Sequence, residues 1–330
     1  MQIRKLGPFD VTAIGFGCTN LSHAYGPPQP RNVAERVLRR ALELGVTHFD
    51  TAALYGFGIN EALVGDVLGQ RPANVIVASK CGLFGRDGKR VMDGSAEAIR
   101  ATCEQSLRSL HTECIDLYYL HRWDKRIPIE ESIEAMAELV RAGKIRAIGL
   151  SEVSAATLRR AHAVHPIAAL QSEYSLWTRN PEIATLAECR NLGIAFVAFS
   201  PLGRGFLAGR QRATSEFVEG DLRRGMPRFQ SPNFEENLRL LGPLAAIAAE
   251  VGVSCAQAAL AWVLARDPGT LVIPGTTNEA HLVENCGADR IRLPAATIAK
   301  LDALLPPGKV AGARYPPATQ VENDTEEFGS

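Results

Sequence analysis

Eight short apolar runs of strand length, separated by segments of helical periodicity, predict an α/β fold: a (β/α)8 TIM barrel. The runs show little polar alternation, as strands covered on both faces require. The intervening segments carry apolar residues at helical spacing. The competing doubly wound dinucleotide fold fails at its own fingerprint. Gly15-Phe16-Gly17-Cys18-Thr19-Asn20 lacks the third glycine, and residues 21–30 hold three prolines where a helix should open.

The elements follow in order. Residues 2–5 and 9–13 flank Leu6-Gly7-Pro8 and read as an N-terminal β-hairpin able to plug the barrel bottom. The barrel strands are expected at 13–17, 47–50, 75–79, 115–120, 145–150, 168–172, 195–199 and 270–273. Val33, Val37, Ala41 and Leu44 form one helical stripe. Ile133, Met136, Ala137 and Val140 form another, stopped at Gly143. Asn180-Pro181 reads as an N-cap followed by proline at the first helical position. Residues 201–232 lack clear periodicity, and so long a loop on the C-terminal face is functional or mobile. No linker is evident, so residues 1–330 read as one barrel domain. Its tail, 306–330, is rich in Pro and Gly and then acidic at Glu322, Asp324, Glu326 and Glu327, and is expected to be partly flexible.

Composition excludes several classes. With 36 Lys+Arg against 36 Asp+Glu, the chain has no basic footprint for nucleic acid. No apolar window is long enough for a membrane span. The start MQIRKLGPFD lacks a signal core, so a cytoplasmic location is expected. The 7 cysteines are scattered without a C-x-x-C pair, against a structural zinc or a disulfide framework.

Active sites of such barrels lie at the C-terminal strand ends. There the second strand ends at Asp50 with Tyr55 in the following loop, the third at Lys80 and the fourth at His121. Singly, each has an ordinary structural explanation; their common rim makes a chemical one. A lysine behind a buried strand needs a counter-ion, and Asp50 can supply it. A free tyrosine, with a pKa near ~10, is poorly matched to proton transfer at neutral pH. A neighbouring ammonium favours the phenolate and lowers that value. His121 could orient a carbonyl oxygen towards Tyr55. The set suits carbonyl reduction, and the missing hydride implies a nicotinamide cofactor.

Phe49-Asp50-Thr51-Ala52-x-x-Tyr55-Gly56, Ser79-Lys80 and Leu120-His121 resemble the signature of the aldo-keto reductase superfamily. The resemblance continues through Gly149-Leu150-Ser151, Gln171-Ser172-Glu173-Tyr174-Ser175-Leu176, Phe199-Ser200-Pro201-Leu202-Gly203 and Ile273-Pro274-Gly275-Thr276. It is similar to the bacterial and plant branch of broad aldehyde and ketone reductases. The resemblance implies a catalytic tetrad of Asp50, Tyr55, Lys80 and His121, with Tyr55 the proton donor. It implies Ser151 and Gln171 at the nicotinamide carboxamide, Phe199 stacked on the ring, and Gly17, Cys18 and Thr19 near its ribose. Ser200, Leu202, Gly203 and Arg204 would line the pyrophosphate. Gly275, Thr276, Thr277 and His281 would lie towards the adenosine 2′-phosphate, and Glu284 and Asn285 at the adenine.

Two departures stand out. Glu152 replaces the Asn of many members, and a carboxylate cannot donate to the carboxamide oxygen. Asn278 and His281 stand where Lys and Arg are common. NADP(H) is expected from the resemblance, with Thr276, Thr277 and a helix N-terminus left to bind phosphate; NAD(H) is the alternative. Tyr25, Trp123 and Trp177 are candidate pocket walls, or simply packed aromatics. Arg122 either binds an anionic substrate group or pairs with Asp124. Arg314-Tyr315 could complete the pocket wall.

The function expected is hydride transfer from NAD(P)H to an aldehyde or ketone, giving an alcohol. The alternative is a nicotinamide-binding regulatory subunit with little turnover. A metal-dependent hydrolase is disfavoured, because His48 and His121 are too few ligands and Lys80 would repel a cation.

Overall fold

A computed structural model describes residues 1–211 and 213–328. A hairpin, β1 (Ile3–Leu6) and β2 (Phe9–Thr12), precedes the barrel. The barrel strands are β3 (Phe16–Gly17), β4 (His48–Asp50), β5 (Ile76–Cys81), β8 (Ile115–Leu120), β9 (Ile145–Ser151), β10 (Ile167–Glu173), β11 (Ala195–Phe199) and β12 (Thr270–Val272). A second hairpin, β6 (Leu83–Arg86) and β7 (Lys89–Met92), projects beyond β5. The eight barrel strands pair in parallel in chain order. A parallel bridge between Ile14 and Val272 joins the first to the last. The fold is therefore the (β/α)8 barrel that the alternation of runs predicts.

The outer helices are α1 (Arg31–Glu43), α2 (Ile59–Leu68), α3 (Ala96–Ser109), α4 (Ile129–Arg141), α5 (Ala155–Val164), α6 (Thr185–Leu192), α7 (Asn233–Leu238), α8 (Leu241–Glu250), α9 (Cys255–Arg266), α10 (Glu279–Gly287) and α11 (Ala295–Leu304). A last short helix, α12 (Pro317–Gln320), lies in the tail. In α1 the buried face is Ala34, Val37, Leu38 and Ala41, and Val33 is only partly buried. Helix α4 stops before Gly143, whose φ of 70° suits a residue without Cβ. Asn180-Pro181 opens a single 3-10 turn, and α6 begins only at Thr185. Among the described residues no single helix is long and apolar enough to cross a membrane.

Two apolar layers result. One lies between sheet and helices, from Phe16 and Phe49 round to Trp262. The other fills the barrel bore with Ile76, Leu117, Tyr119, Val197 and Leu271, and extends into Leu6, Phe9 and Val11 of the first hairpin. That hairpin stops the lower end. Arg4 ties it down by donating to the carbonyls of Asp267 (3.1 Å) and Leu264 (2.9 Å). The bottom is sealed, leaving the upper mouth for chemistry.

Candidate active site

Lys80 is fully buried at the end of β5. An unpaired ammonium there would be costly, and the chain surrounds it with acceptors. It ion-pairs with Asp50 at the end of β4, and donates to the Thr51 carbonyl at 2.7 Å and the Tyr55 hydroxyl at 3.4 Å. Gln171 of β10 donates to the other Asp50 oxygen at 2.7 Å, so both carboxylate oxygens are engaged. Burial opposes the lysine charge, yet Asp50 and Tyr55 outweigh it and raise the Lys80 pKa. The ammonium stays charged beneath a half-buried phenol.

His121, at the end of β8, meets the Tyr55 ring edge-on, with centroids 5.8 Å apart. Burial first, then the cations Arg122, Lys80 and Arg90, push its pKa well below the usual histidine value. It is a neutral imidazole at pH 7, able to donate a hydrogen bond but not to serve as the acid. His23, which the sequence reading did not single out, also stacks on Tyr55, at 5.8 Å and 22°.

These groups open into a cleft of about 740 Å3 at the barrel mouth, within the range of small-molecule sites. Its wall includes Gly17, Thr19, Asp50, Tyr55, His121, Ser151, Gln171, Phe199, Ser200, Leu202 and Arg204, then Gly275, Thr276, Thr277, His281, Glu284 and Asn285. Cys18, Lys80 and Gly203 lie behind it. The cleft thus gathers most of the predicted positions from seven strand ends and the long loop. Ser200 (φ 47°) and Arg204 (φ 56°) hold left-handed backbone, a cost of about 1–3 kcal/mol each that clusters at working sites.

The long loop is anchored, not loose. Trp177 stacks on Phe206 at 4.2 Å and meets Phe229 edge-on at 5.2 Å; Phe217 and Phe234 complete the cluster. Gly203 is glycine because a Cβ would lie 2.9 Å from the Trp177 ring. Trp177 therefore supports the loop from behind and is not part of the cleft wall. Nor is Trp123, whose indole donates to the Ile127 carbonyl at 2.8 Å under the Arg160 guanidinium. Tyr25 does line the cleft.

Glu152, held at φ 55°, faces away from the cleft. It accepts the backbone N–H of Glu173 at 2.8 Å and pairs with Arg314 of the tail. Arg204 in turn bonds Glu173 at 2.9 Å and the Tyr315 hydroxyl at 2.8 Å. Asp324 accepts from Ser154 N at 3.0 Å, and Glu326 from Ala155 N at 2.8 Å, both at the start of α5. The acidic tail residues thus cap a helix, and Tyr315, Pro316 and Thr319 join the cleft wall.

At the far end Asn278 caps α10, accepting from Ala280 N at 2.8 Å and His281 N at 3.2 Å. Those N–H groups, expected to be open to phosphate, are engaged. Arg210 of the long loop reaches His281 and bonds Glu284 at 2.9 Å, bringing a cation to that end. Nothing in the sequence spacing linked Arg210 to α10. Among the described residues no group of three or more His, Cys, Asp or Glu side chains could hold a metal.

A closed parallel barrel with a buried Asp–Lys pair under a tyrosine and a neutral histidine at its mouth defines a barrel oxidoreductase. Residues 13–306 match the model of the aldo/keto reductase family. A probable aldo-keto reductase 1 from Glycine max is 42% identical over 319 residues, covering 96% of this chain and 92% of its own. The aldo-keto reductase yakc of Schizosaccharomyces pombe, named with NADP(+), is 41% identical, covering 95% and 94%. A glycerol dehydrogenase structure from Gluconobacter oxydans superposes with a TM-score of 0.84 at 30% identity, covering 96% and 97%. The chain belongs to the aldo/keto reductase family and is an NAD(P)H-dependent oxidoreductase.

Proposed function

We propose that the chain reduces aldehydes and ketones to alcohols with NADP(H), with Tyr55 donating the proton. The observation that carries this is the buried Lys80 ammonium, fixed by Asp50 and placed 3.4 Å from the Tyr55 hydroxyl. A permanent positive charge there stabilises the phenolate left after proton donation. Neutral His121 orients the carbonyl oxygen by donating to it. His23 and His121 pack against the phenol ring and hold it in place above Lys80.

The cleft fits a nicotinamide dinucleotide in size and in its lining. Ser151 and Gln171 would hold the carboxamide, Phe199 the ring face, and Gly17 and Thr19 the ribose. Cys18 and Gly203 would act from behind as backbone supports. Ser200, Leu202 and Arg204 would face the pyrophosphate, and Glu284 and Asn285 the adenine. The bound nucleotide supplies the hydride. For the 2′-phosphate, Thr276, Thr277, His281 and Arg210 replace the lysine and arginine of other members, and the name of the yeast relative supports NADP(H). Burial and Arg210 lower the His281 pKa, so Arg210 is the fixed cation of this group.

We place the enzyme in the cytoplasm, consistent with seven free cysteines. The test is loss of nicotinamide absorbance when purified protein, NADPH and a simple aldehyde are mixed. Turnover supports a reductase; tight NADPH binding without turnover supports the regulatory alternative instead.

A further inference from the structure

Charge balance around the cleft singles out one side chain. Arg90 pairs with Glu322 (2.7 Å) and Arg204 with Glu173 (2.9 Å). Arg210 pairs with Glu284 (2.9 Å) and Arg223 with Asp221 (2.6 Å). Lys80, beneath the floor, has Asp50. Arg122 alone among the described cleft arginines has no carboxylate within ion-pair distance.

Its obvious partner is taken. Asp124, two residues on, is buried and forked by Arg126 at 2.7 and 2.8 Å. Arg122 turns the other way, into the cleft wall, and one terminal nitrogen, Nη1, donates to the His121 carbonyl (2.6 Å) and Ser151 Oγ (3.3 Å). These contacts fix the guanidinium beside His121 and leave its remaining N–H groups without a partner among the described residues. A half-buried, uncompensated guanidinium next to the reacting carbonyl's seat favours a planar anion, which it can grip with two parallel hydrogen bonds.

We infer that Arg122 is a specificity-determining residue that selects carbonyl substrates carrying a carboxylate, namely oxo acids and carboxy-aldehydes. This rests on the reductase reading above and names its substrate class. The carbonyl carbon gains hydride, its oxygen gains the proton, and the carboxylate leaves unchanged in a hydroxy acid.

The test compares a series of oxo acids of increasing chain length with their methyl esters, under NADPH. The wild type is expected to favour at least one acid over its ester by about 10- to 100-fold in kcat/KM, the span of a charged hydrogen bond. Arg122→Met should cut the acid far more than the ester, mainly through KM, and bring the ratio towards unity. Arg122→Lys, which keeps the charge without the fork, should restore part of it. NADPH affinity, read by fluorescence quenching, should stay within about twofold in both variants. Equal kcat/KM for acid and ester throughout the wild-type series would overturn this inference alone. So would a variant that loses acid and ester equally, or one that binds NADPH tenfold more weakly, which would assign Arg122 to the carboxamide seat. No turnover of acid or ester by a wild type that still reduces a simple aldehyde would likewise overturn this inference alone. No turnover of the simple aldehyde either would overturn the reductase reading, and this inference with it.

Discussion

Glu173 offers the clearest electrostatic perturbation at the barrel mouth. Burial alone would raise its pKa, but Arg204, Arg314 and Arg228 outweigh that and bring it from the usual 4.5 to about 2. Holding a buried carboxylate that far down corresponds to about 3 kcal/mol of folded-state stability. The sign follows from linkage: a depressed acid contributes fully above its unfolded pKa and loses the contribution as pH falls through the folded one. Glu173→Gln keeps the shape of the neutral acid and removes only the charge. Urea unfolding should find the variant about 3 kcal/mol less stable at pH 7, with the gap closing to about 1 kcal/mol at pH 3. Equal stability at pH 7, or a gap unchanged between pH 7 and pH 3, would refute the argument.

Four further outcomes are expected. Lys80→Met orphans Asp50 and should cost about 3–5 kcal/mol by urea unfolding as well as most of the turnover; adding Asp50→Asn should recover stability but not activity. Gly149→Ala places a Cβ 2.3 Å from the Tyr119 ring and should cost about 1–3 kcal/mol, read as a lower Tm. Asn278→Ala removes the α10 cap and should cost about 1 kcal/mol by the same measurement. His281→Arg adds a fixed cation beside Arg210 and should raise the NADPH-to-NADH affinity ratio by about tenfold in fluorescence titrations.

The barrel was legible because each buried strand carries its own apolar run, and parallel pairing in chain order is what such runs alternating with helices permit. The placement of Asp50, Lys80 and His121 at the barrel mouth was legible because each lies within a residue of a strand end, and Tyr55 follows in the turn after Asp50. What escaped was whatever depends on long-range packing. The β6–β7 hairpin had a local signal, Asp87-Gly88, both with positive φ, flanked by the pair Arg86 and Lys89. It went unread because the adjacent residues are polar and lack strand alternation. Glu152 was read only as a departure whose carboxylate cannot donate to the carboxamide; its actual role was hidden because only the fold shows Arg314, 162 residues away, arriving to claim it. The tail looked loose by composition, yet its carboxylates meet the start of α5. Trp123 and Trp177 illustrate the same limit: a loop aromatic faces the cleft or the core according to neighbours that periodicity does not name.

Tyr55→Phe tests the central claim most directly, because it removes one hydroxyl and leaves the ring packed against His23 and His121. NADPH binding and single-turnover reduction of an aldehyde should be measured on the same preparation. The account predicts NADPH affinity within about twofold of wild type and a turnover rate lower by about 10²–10⁴-fold, the share of a positioned general acid. Near-wild-type turnover with NADPH still bound would contradict it, and would move the proton donor to some other group at the mouth.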